Sequence, residues 1–258
     1  ELGIDKIINF SKSLNIYENP DELVSISLGS AETTLIKITS GYCSFVNGGK
    51  LINPIFIDRI QDSEGKTIFN NEKRFCENCD QISYESSELP KIKNNYLQIF
   101  SERTAYQITS ILEGVIKRGT GKGLRKLNLQ LAGKTGTTNK NTDAWFIGFT
   151  SNLVVGVYVG YDEPQSLGKY ETGSKTAMPI FKKFIKKAVI NHDARPFKVP
   201  HGIKMMVVDE ITGKKANFLS KKTIIESFKK EKFENELKIG IDDDMFYKIT
   251  KNNILKFY

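Results

Sequence analysis

The sequence runs to 258 residues with 39% hydrophobic content, enough to fill one large core or two smaller ones, which excludes a wholly disordered or fibrous chain. Its formal net charge is +8, but the basic residues alternate with acids and asparagines, no arginine stripe or aromatic-basic module occurs, and no nucleic-acid partner is expected. No apolar run approaches the roughly 20 residues that span a bilayer, and the start is no signal peptide.

Ile4, Ile7, Ile8, Phe10 and Leu14 predict an amphipathic helix already under way at residue 4. With Glu1 where a methionine would stand, the sequence is expected to be truncated at its N-terminus. A loop through Asn19-Pro20 leads to a second helix, capped by Thr33 or Thr34, with Leu35, Ile38, Tyr42, Phe45 and Val46 as its apolar stripe and Gly48-Gly49 as its stop. Residues 50–69 read as a hairpin, "LINPIFIDRI" and "KTIF" about a turn at Asp62-Ser63-Glu64-Gly65. Residues 70–98 are polar without periodicity and read as a loop or small insertion. They hold Cys76-Glu77-Asn78-Cys79, a single C-x-x-C with no second pair and no nearby histidine. A local disulfide or two free thiols is the preferred reading over metal or redox chemistry. Cys43 stands alone, and His192 and His201 have no ligand-like spacing, so no metal, no cofactor and no Ser-His-Asp arrangement is expected.

A strong helix is predicted over Ser101–Lys117, with Ala105, Ile108, Ile111, Leu112 and Val115 on one face. "RGTGKG" stops it, and "LNLQLAGKTGT" reads as an exposed approach running into a strand. "DAWFIGFT" and "LVVGVYVGY", joined by Ser151-Asn152, form a hairpin whose near-continuous hydrophobicity argues for a sheet covered on both faces. For Trp145, Phe146 and Phe149, packing of that hairpin outweighs a substrate-stacking role. Beyond Gly173 a last helix carries Ala177, Phe181, Phe184, Ile185, Ala188 and Val189, with Pro179 tolerable only in its first turns. "ARPFKVPHG" marks a boundary near residue 200. The tail 201–258 reads as an accessory region with one short strand-like run, "IKMMVVDEITGKKA", followed by charge-rich sequence expected to be partly disordered. Its lysines suit solvent better than an anionic membrane surface.

The chemistry-bearing stretch is Lys134-Thr135-Gly136-Thr137. It is no phosphate loop: Asn128 stands where a Walker A motif needs glycine, and a strand rather than a helix follows. "GTGKG" at 119–123 lacks the strand and spacing of a dinucleotide fingerprint. On a strand, alternate side chains share a face, so the segment offers a cation and hydroxyls, while Gly136 leaves backbone bare for an extended peptide ending in a carboxylate. Four letters alone fit an ordinary strand edge, with a chance lysine and threonines, better than a binding site.

The surrounding text decides between these. "LGSAETTLIKITSGYCSFVNGG", "EGVIKRGTGKGLRKLNLQLAGKTGTTNKNTDAWFIGFTSNLVVGVYVGYDEP" and "ETGSKTAMPIFKKFI", in this order, closely resemble the transpeptidase domain of class A penicillin-binding proteins across most of residues 1–200. The resemblance implies an α+β fold: an antiparallel sheet flanked by helices, in the sandwich of serine β-lactamases and penicillin-binding transpeptidases. It places Lys134, Thr135, Gly136 and Thr137 in the family's third active-site motif. Thr135 and Thr137 would hold the carboxylate of a terminal D-alanine or a β-lactam, and the Thr137 N–H would be one oxyanion donor. Lys134 would bias the field toward anionic substrate and help proton traffic.

The family's nucleophile lies in S-x-x-K, with S-x-N as proton shuttle, and both should precede residue 1. The letters recur at Ser63 to Lys66, Ser166 to Lys169, Ser227 to Lys230 and Ser13-Leu14-Asn15, all in the wrong context or order, so the serine nucleophile is expected to be absent and the chain alone inactive. The resemblance implies that the intact protein cross-links peptidoglycan stem peptides through a serine acyl-enzyme and binds β-lactams. It further implies a glycosyltransferase acting on lipid II-derived glycan strands and an N-terminal anchor in the bacterial inner membrane, with the catalytic domain facing the periplasm. Two other readings stay open: a DD-carboxypeptidase or β-lactamase-like hydrolase, and a non-catalytic module that binds peptidoglycan or a partner through the KTGT edge.

Overall fold

The computed structural model describes residues 2–72, 74–77, 79, 91–93, 96–189 and 195–230. His192, residues 80–90 and residues 231–258 of the expected tail lie outside the described residues. The chain divides into two compact units, Glu1–Lys198 and Val199–Tyr258.

The first unit is built on an antiparallel three-stranded sheet, whose strands β5 (Ala132–Thr137), β6 (Asp143–Phe149) and β7 (Val154–Gly160) lie in that order. The numbering leaves four peripheral strands before them: β1 (Arg59–Gln61), β2 (Thr67–Asn70), β3 (Phe75–Glu77) and β4 (Lys91–Lys93). Helices α1 (Ile4–Ser13), α2 (Leu35–Val46), α3 (Glu102–Lys117) and α4 (Met178–Ala188) complete the unit. Each helix begins where local chemistry allows. Thr34 caps α2 by accepting the Lys37 N–H at 3.3 Å, and Ser101 caps α3 by accepting the Thr104 N–H at 3.2 Å. Pro179 sits in the first turn of α4, where its missing N–H leaves no gap in the helix.

Both faces of the sheet are covered, as the unbroken apolar run in β6 predicts. On one face, Ala144 and Phe146 pack with Ile116 of α3 and with Met178, Phe181 and Ile185 of α4. The Phe146 and Phe181 rings meet edge to face at 4.9 Å, and both are fully buried. Gly148 makes this approach possible: an added Cβ would stand 2.6 Å from the Phe181 ring and 2.7 Å from that of Phe146. On the other face, Ala132 and Phe149 pack with Leu112 of α3, with Tyr42 and Phe45 of α2, and with Phe197.

Several expectations need correction. Ile111 and Phe184 are 57% and 51% exposed, because α3 turns Ala105, Leu112 and Ile116 inward and α4 turns Phe181 and Ile185, leaving Ile111 and Phe184 one helical step off the buried stripe. The approach to KTGT is only partly exposed: Asn128 and Gln130 face solvent, but Leu127 and Leu129 are half-buried against the first core and Leu131 is buried in it, as is Leu124 in the short 3₁₀ turn Lys122–Leu127 ahead of them. The hairpin at 50–69 is shorter than read. Only β1 and β2 pair, closed by an Asp62 carboxylate that accepts the N–H groups of Glu64 and Lys66, and residues 51–58, interrupted by Pro54, run irregularly. Residues 70–98 hold a second antiparallel hairpin, β3–β4, with Cys76 and Cys79 joined in a local disulfide.

The second unit corrects the single strand expected past residue 200. Strand β8 (Ile203–Asp209) pairs with β9 (Thr223–Lys229) from Ile203↔Lys229 to Asp209↔Thr223. The connection is anchored by the Asp209 carboxylate, which accepts the N–H groups of Ile211 and Thr212, and these bonds hold its pKa below the usual carboxylate value. "TIIESFK" lacks clean alternation, so β9 is found by its partner rather than by its own pattern.

The burial of Phe181 against Phe146 sets a stability prediction. Replacing Phe181 by Ala opens a cavity against Phe146 and should cost about 3–5 kcal/mol in urea unfolding, whereas Phe184→Ala should stay below about 1 kcal/mol. Equal losses from the two would show that α4 does not carry the core.

Candidate active site

Strand β5 is one of the two edge strands of its sheet among the described residues, and its C-terminal half carries the KTGT residues. The register pairs Lys134 with Ile147, Thr135 with Phe146, Gly136 with Trp145 and Thr137 with Ala144. Thr138 donates its N–H to the Asp143 carbonyl at 3.2 Å. In an antiparallel ladder, hydrogen-bonded residues alternate with residues whose backbone groups turn away. The N–H and C=O groups of Thr137 and Thr135 therefore face the outer edge, away from β6. The Lys134 ammonium reaches one of these outward groups, donating to the Thr135 carbonyl at 2.7 Å.

Side chains divide as expected for a strand: Lys134 and Gly136 on one face, Thr135 and Thr137 on the other. Lys134 and Thr137 are exposed, and Thr135 is half-buried. Each threonine hydroxyl is oriented by a segment distant in sequence. Thr135 Oγ1 shares a hydrogen bond with Thr120 Oγ1 at 2.9 Å, from the glycine-rich loop that ends α3. Thr137 Oγ1 accepts the Gly173 N–H at 3.1 Å, from the first residue of the π-helical turn Gly173–Ala177 ahead of α4. An acceptor role at Thr137 keeps its own O–H proton available for donation elsewhere.

Gly173 lies against the backbone itself. A Cβ there would stand 2.3 Å from the Trp145 carbonyl oxygen and 2.5 Å from that of Gly136. Only glycine allows this turn to cross the β5–β6 pair so closely. The turn from β5 to β6 is secured by its own bonds: Thr138 Oγ1 accepts the Asp143 N–H at 2.8 Å, and the Asn141 carbonyl accepts the Leu167 N–H at 2.9 Å. Asp143 Oδ1 accepts the Tyr158 hydroxyl at 2.8 Å, which raises the Tyr158 pKa above its ordinary value. Trp145 packs on Tyr158 behind Gly136, with ring centroids 4.6 Å apart and planes tilted by 49°, while Phe146 and Phe149 are fully buried.

The structure thus brings all four motif residues to one accessible edge. It adds Thr120 and Gly173, which reading the sequence did not single out. Their signals were present: Thr120 lies in "RGTGKG", read as a helix stop, and Gly173 in "ETG", read as the start of the last helix, and both belong to stretches that carry the family resemblance. The serines of the S-x-x-K and S-x-N letter matches are placed elsewhere. Ser63 lies in the β1–β2 turn, Ser13 donates to the Phe10 carbonyl at 2.7 Å at the end of α1, Ser166 Oγ accepts the Gly168 N–H, and Ser227 belongs to β9 in the second unit.

A family model described as the penicillin-binding protein transpeptidase domain matches residues 3–186. The chain belongs to the penicillin-binding protein transpeptidase family. It is 44% identical over 230 residues to penicillin-binding protein 1A of Rickettsia prowazekii, an alignment covering 88% of this chain and 29% of that protein. The crystal structure of penicillin-binding protein 1A from Haemophilus influenzae superposes with a TM-score of 0.70 at 29% identity, over 87% of this chain and 36% of that one. The PonA1 protein of Mycobacterium tuberculosis, solved in complex with penicillin V, shares the fold with a TM-score of 0.57 at 22% identity, over 76% of this chain and 53% of that one. The chain spans less than a third of the length of the curated relatives it matches. Its antiparallel sheet flanked by helices is the penicillin-binding transpeptidase fold.

Gly173→Ala should lift the π-helical turn off β5 and break the bond to Thr137. Hydrogen exchange of the Gly136 and Thr138 amides should quicken, with a stability loss of about 1–3 kcal/mol. Unchanged exchange at both amides would mean that Gly173 does not clamp the strand.

Proposed function

We propose that this chain forms one wall of the acyl-transfer cleft of a peptidoglycan DD-transpeptidase, with Lys134, Thr135, Gly136 and Thr137 as the substrate-binding strand. The observation that carries the reading is the outward turn of the Thr135 and Thr137 amides on an accessible edge, beside a lysine and two oriented hydroxyls. An extended D-Ala-D-Ala terminus can pair with that edge by strand addition. Its carboxylate accepts from the Thr135 and Thr137 hydroxyls, charge-assisted bonds stronger than the neutral ones these groups now make. Lys134 supplies positive potential to the same anion.

The reaction proceeds by serine attack on the penultimate alanine carbonyl. The Thr137 N–H is one donor to the oxyanion that develops there. Collapse breaks the peptide bond, D-alanine leaves with the serine's proton, and an acyl-enzyme ester remains. The amine of a neighbouring stem peptide then attacks the ester and releases the serine. The nucleophile and its S-x-x-K lysine are supplied by polypeptide preceding residue 1, and the chain alone is inert. The same geometry accommodates a β-lactam, whose carboxylate and carbonyl imitate the peptide terminus.

In its complete form we take the protein to be a bifunctional synthase, with a glycosyltransferase domain and a membrane anchor N-terminal to this segment and with the transpeptidase facing the periplasm. The family names of the relatives and the Cys76–Cys79 disulfide support this reading, since such bonds persist in oxidising compartments.

Fluorescent penicillin should label the full-length protein and leave residues 1–258 unlabelled; stoichiometric acylation of the isolated chain would place the nucleophile within it and refute the reading. In the full-length protein, Thr137→Pro removes the outward N–H together with the hydroxyl that accepts from Gly173, whereas Thr137→Ala removes the hydroxyl alone. Thr137→Pro should slow acylation about 100- to 1,000-fold more than Thr137→Ala does. Lys134→Ala should slow it as well, and Lys140→Ala, in the β5–β6 turn, should not. With stem-peptide substrate the expected product is a cross-linked dimer; a shortened monomer alone would identify a carboxypeptidase.

A further inference from the structure

Residues 51–58, the return from β2 and residues 96–97 border an open cleft of about 590 Å³, within the range of small-molecule sites, that no residue of β5 lines and the proposed acyl transfer does not use. Its walls are pinned by the backbone. Leu51 donates its N–H to the Leu97 carbonyl at 2.8 Å, and Asn71 donates its N–H to the Asp58 carbonyl at 2.9 Å. Arg74 is held on one wall by Glu72, which accepts from its Nε at 2.7 Å, from its Nη2, and from its backbone N–H at 2.8 Å. Asp58 and Tyr96 lie within electrostatic reach of the same guanidinium.

We infer that this cleft is a saccharide site, built for an uncharged pyranose chain carrying acetamido groups. The lining has three parts that together match such a ligand. Asn71 presents a carbonyl acceptor and an NH₂ donor on one planar group, the pairing that neighbouring hydroxyls or an acetamido group satisfy, and Asn53 adds an NH₂ donor, its Oδ1 accepting from Asn15 Nδ2 at 3.4 Å. The Arg74–Glu72 pair adds a donor and an acceptor in fixed positions, and Asp58 contributes a further carboxylate acceptor. Tyr96, 53% exposed, offers a ring face for the C–H side of a pyranose, continued by Pro54, Ile55 and Leu97.

The charge balance selects against other ligands. One guanidinium faces two carboxylates, Asp58 and Glu72, so the cleft does not gather phosphate or carboxylate groups. Its amides and charges would be left without partners beneath a purely apolar ligand, which is costly. A neutral polyol with apolar faces meets both demands. The inference rests on the transpeptidase reading only for its natural source, the glycan backbone to which stem peptides are attached. Engaging that backbone at a second point would raise the local concentration of peptide termini at β5 without adding any contact there.

The test titrates the full chain with a β-1,4-linked tetramer of N-acetylglucosamine, read by saturation-transfer NMR and calorimetry, with maltotetraose as the comparison. Binding in the millimolar range or tighter is expected for the acetamido sugar, and at least tenfold weaker binding for maltotetraose. Tyr96→Ala and Asn71→Leu should each weaken it about tenfold or more, and Tyr96→Trp should restore it. Retention of the wild-type melting temperature in the variants excludes misfolding, and Lys134→Ala should leave the affinity unchanged. Absence of binding, affinity that survives both cleft variants, or equal affinity for the two sugars would overturn the proposal. Failure of penicillin acylation in the full-length protein with saccharide binding intact would overturn the transpeptidase reading and leave the cleft standing.

Discussion

The register of β5 on β6 is the constraint on which the rest depends. Because a strand has a period of two, one residue of slippage would reverse both the side-chain faces and the direction of every backbone amide. With Gly136 opposite Trp145 and Thr137 opposite Ala144, the Thr135 and Thr137 amides point outward and their hydroxyls share a face. Slipped by one, the outward amides would belong to Lys134 and Gly136, and the hydroxyls would face the other side. The register is held from both ends. Ala132, fully buried, lies opposite Phe149 in the second core, and at the far end the Thr138–Asp143 bonds close the turn.

Gly173 and Thr120 tie this strand to the helices. The turn before α4 reaches β5 because Phe181 and Ile185 are driven into the core beneath it, and the loop after α3 reaches Thr135 because Ile116 and Leu124 are buried beside it. The hydroxyl orientations therefore draw on the same hydrophobic burial that stabilises the unit. Under the proposed acyl transfer, that coupling would preorganise the strand: its dipoles are set before any substrate arrives, the condition under which such groups contribute most to a charged transition state.

The periphery obeys a different logic. The β1–β2 hairpin buries little of its own side-chain surface: Ile60, Ile68 and Phe69 are exposed, as is Ile92 of β4. Two-stranded hairpins of this size are marginal alone, and a local disulfide plus the backbone bonds at Leu51 and Asn71 substitute for the missing core. Polar side chains can line a cleft there because no close packing competes for the space.

Within Glu1–Lys198, the sequence by itself determined the elements whose hydrophobic period is strong: α2, α3, the β6–β7 hairpin and α4, together with the family and the four motif residues. Those features are local, since a helical stripe or an apolar strand announces its own geometry within about a dozen residues. Short strands are the weak case. β3, β4 and β9 carry no clean alternation and exist because a partner strand satisfies their backbone, which no single segment can reveal. The inward face of α3, which leaves Ile111 out, was decided by the position of the sheet. Only the tertiary structure decided that Thr120 and Gly173 meet KTGT, at sequence separations of 15 and 36 residues. Such contacts arise from packing between elements, and packing is a property of three-dimensional neighbours rather than of spacing along the chain.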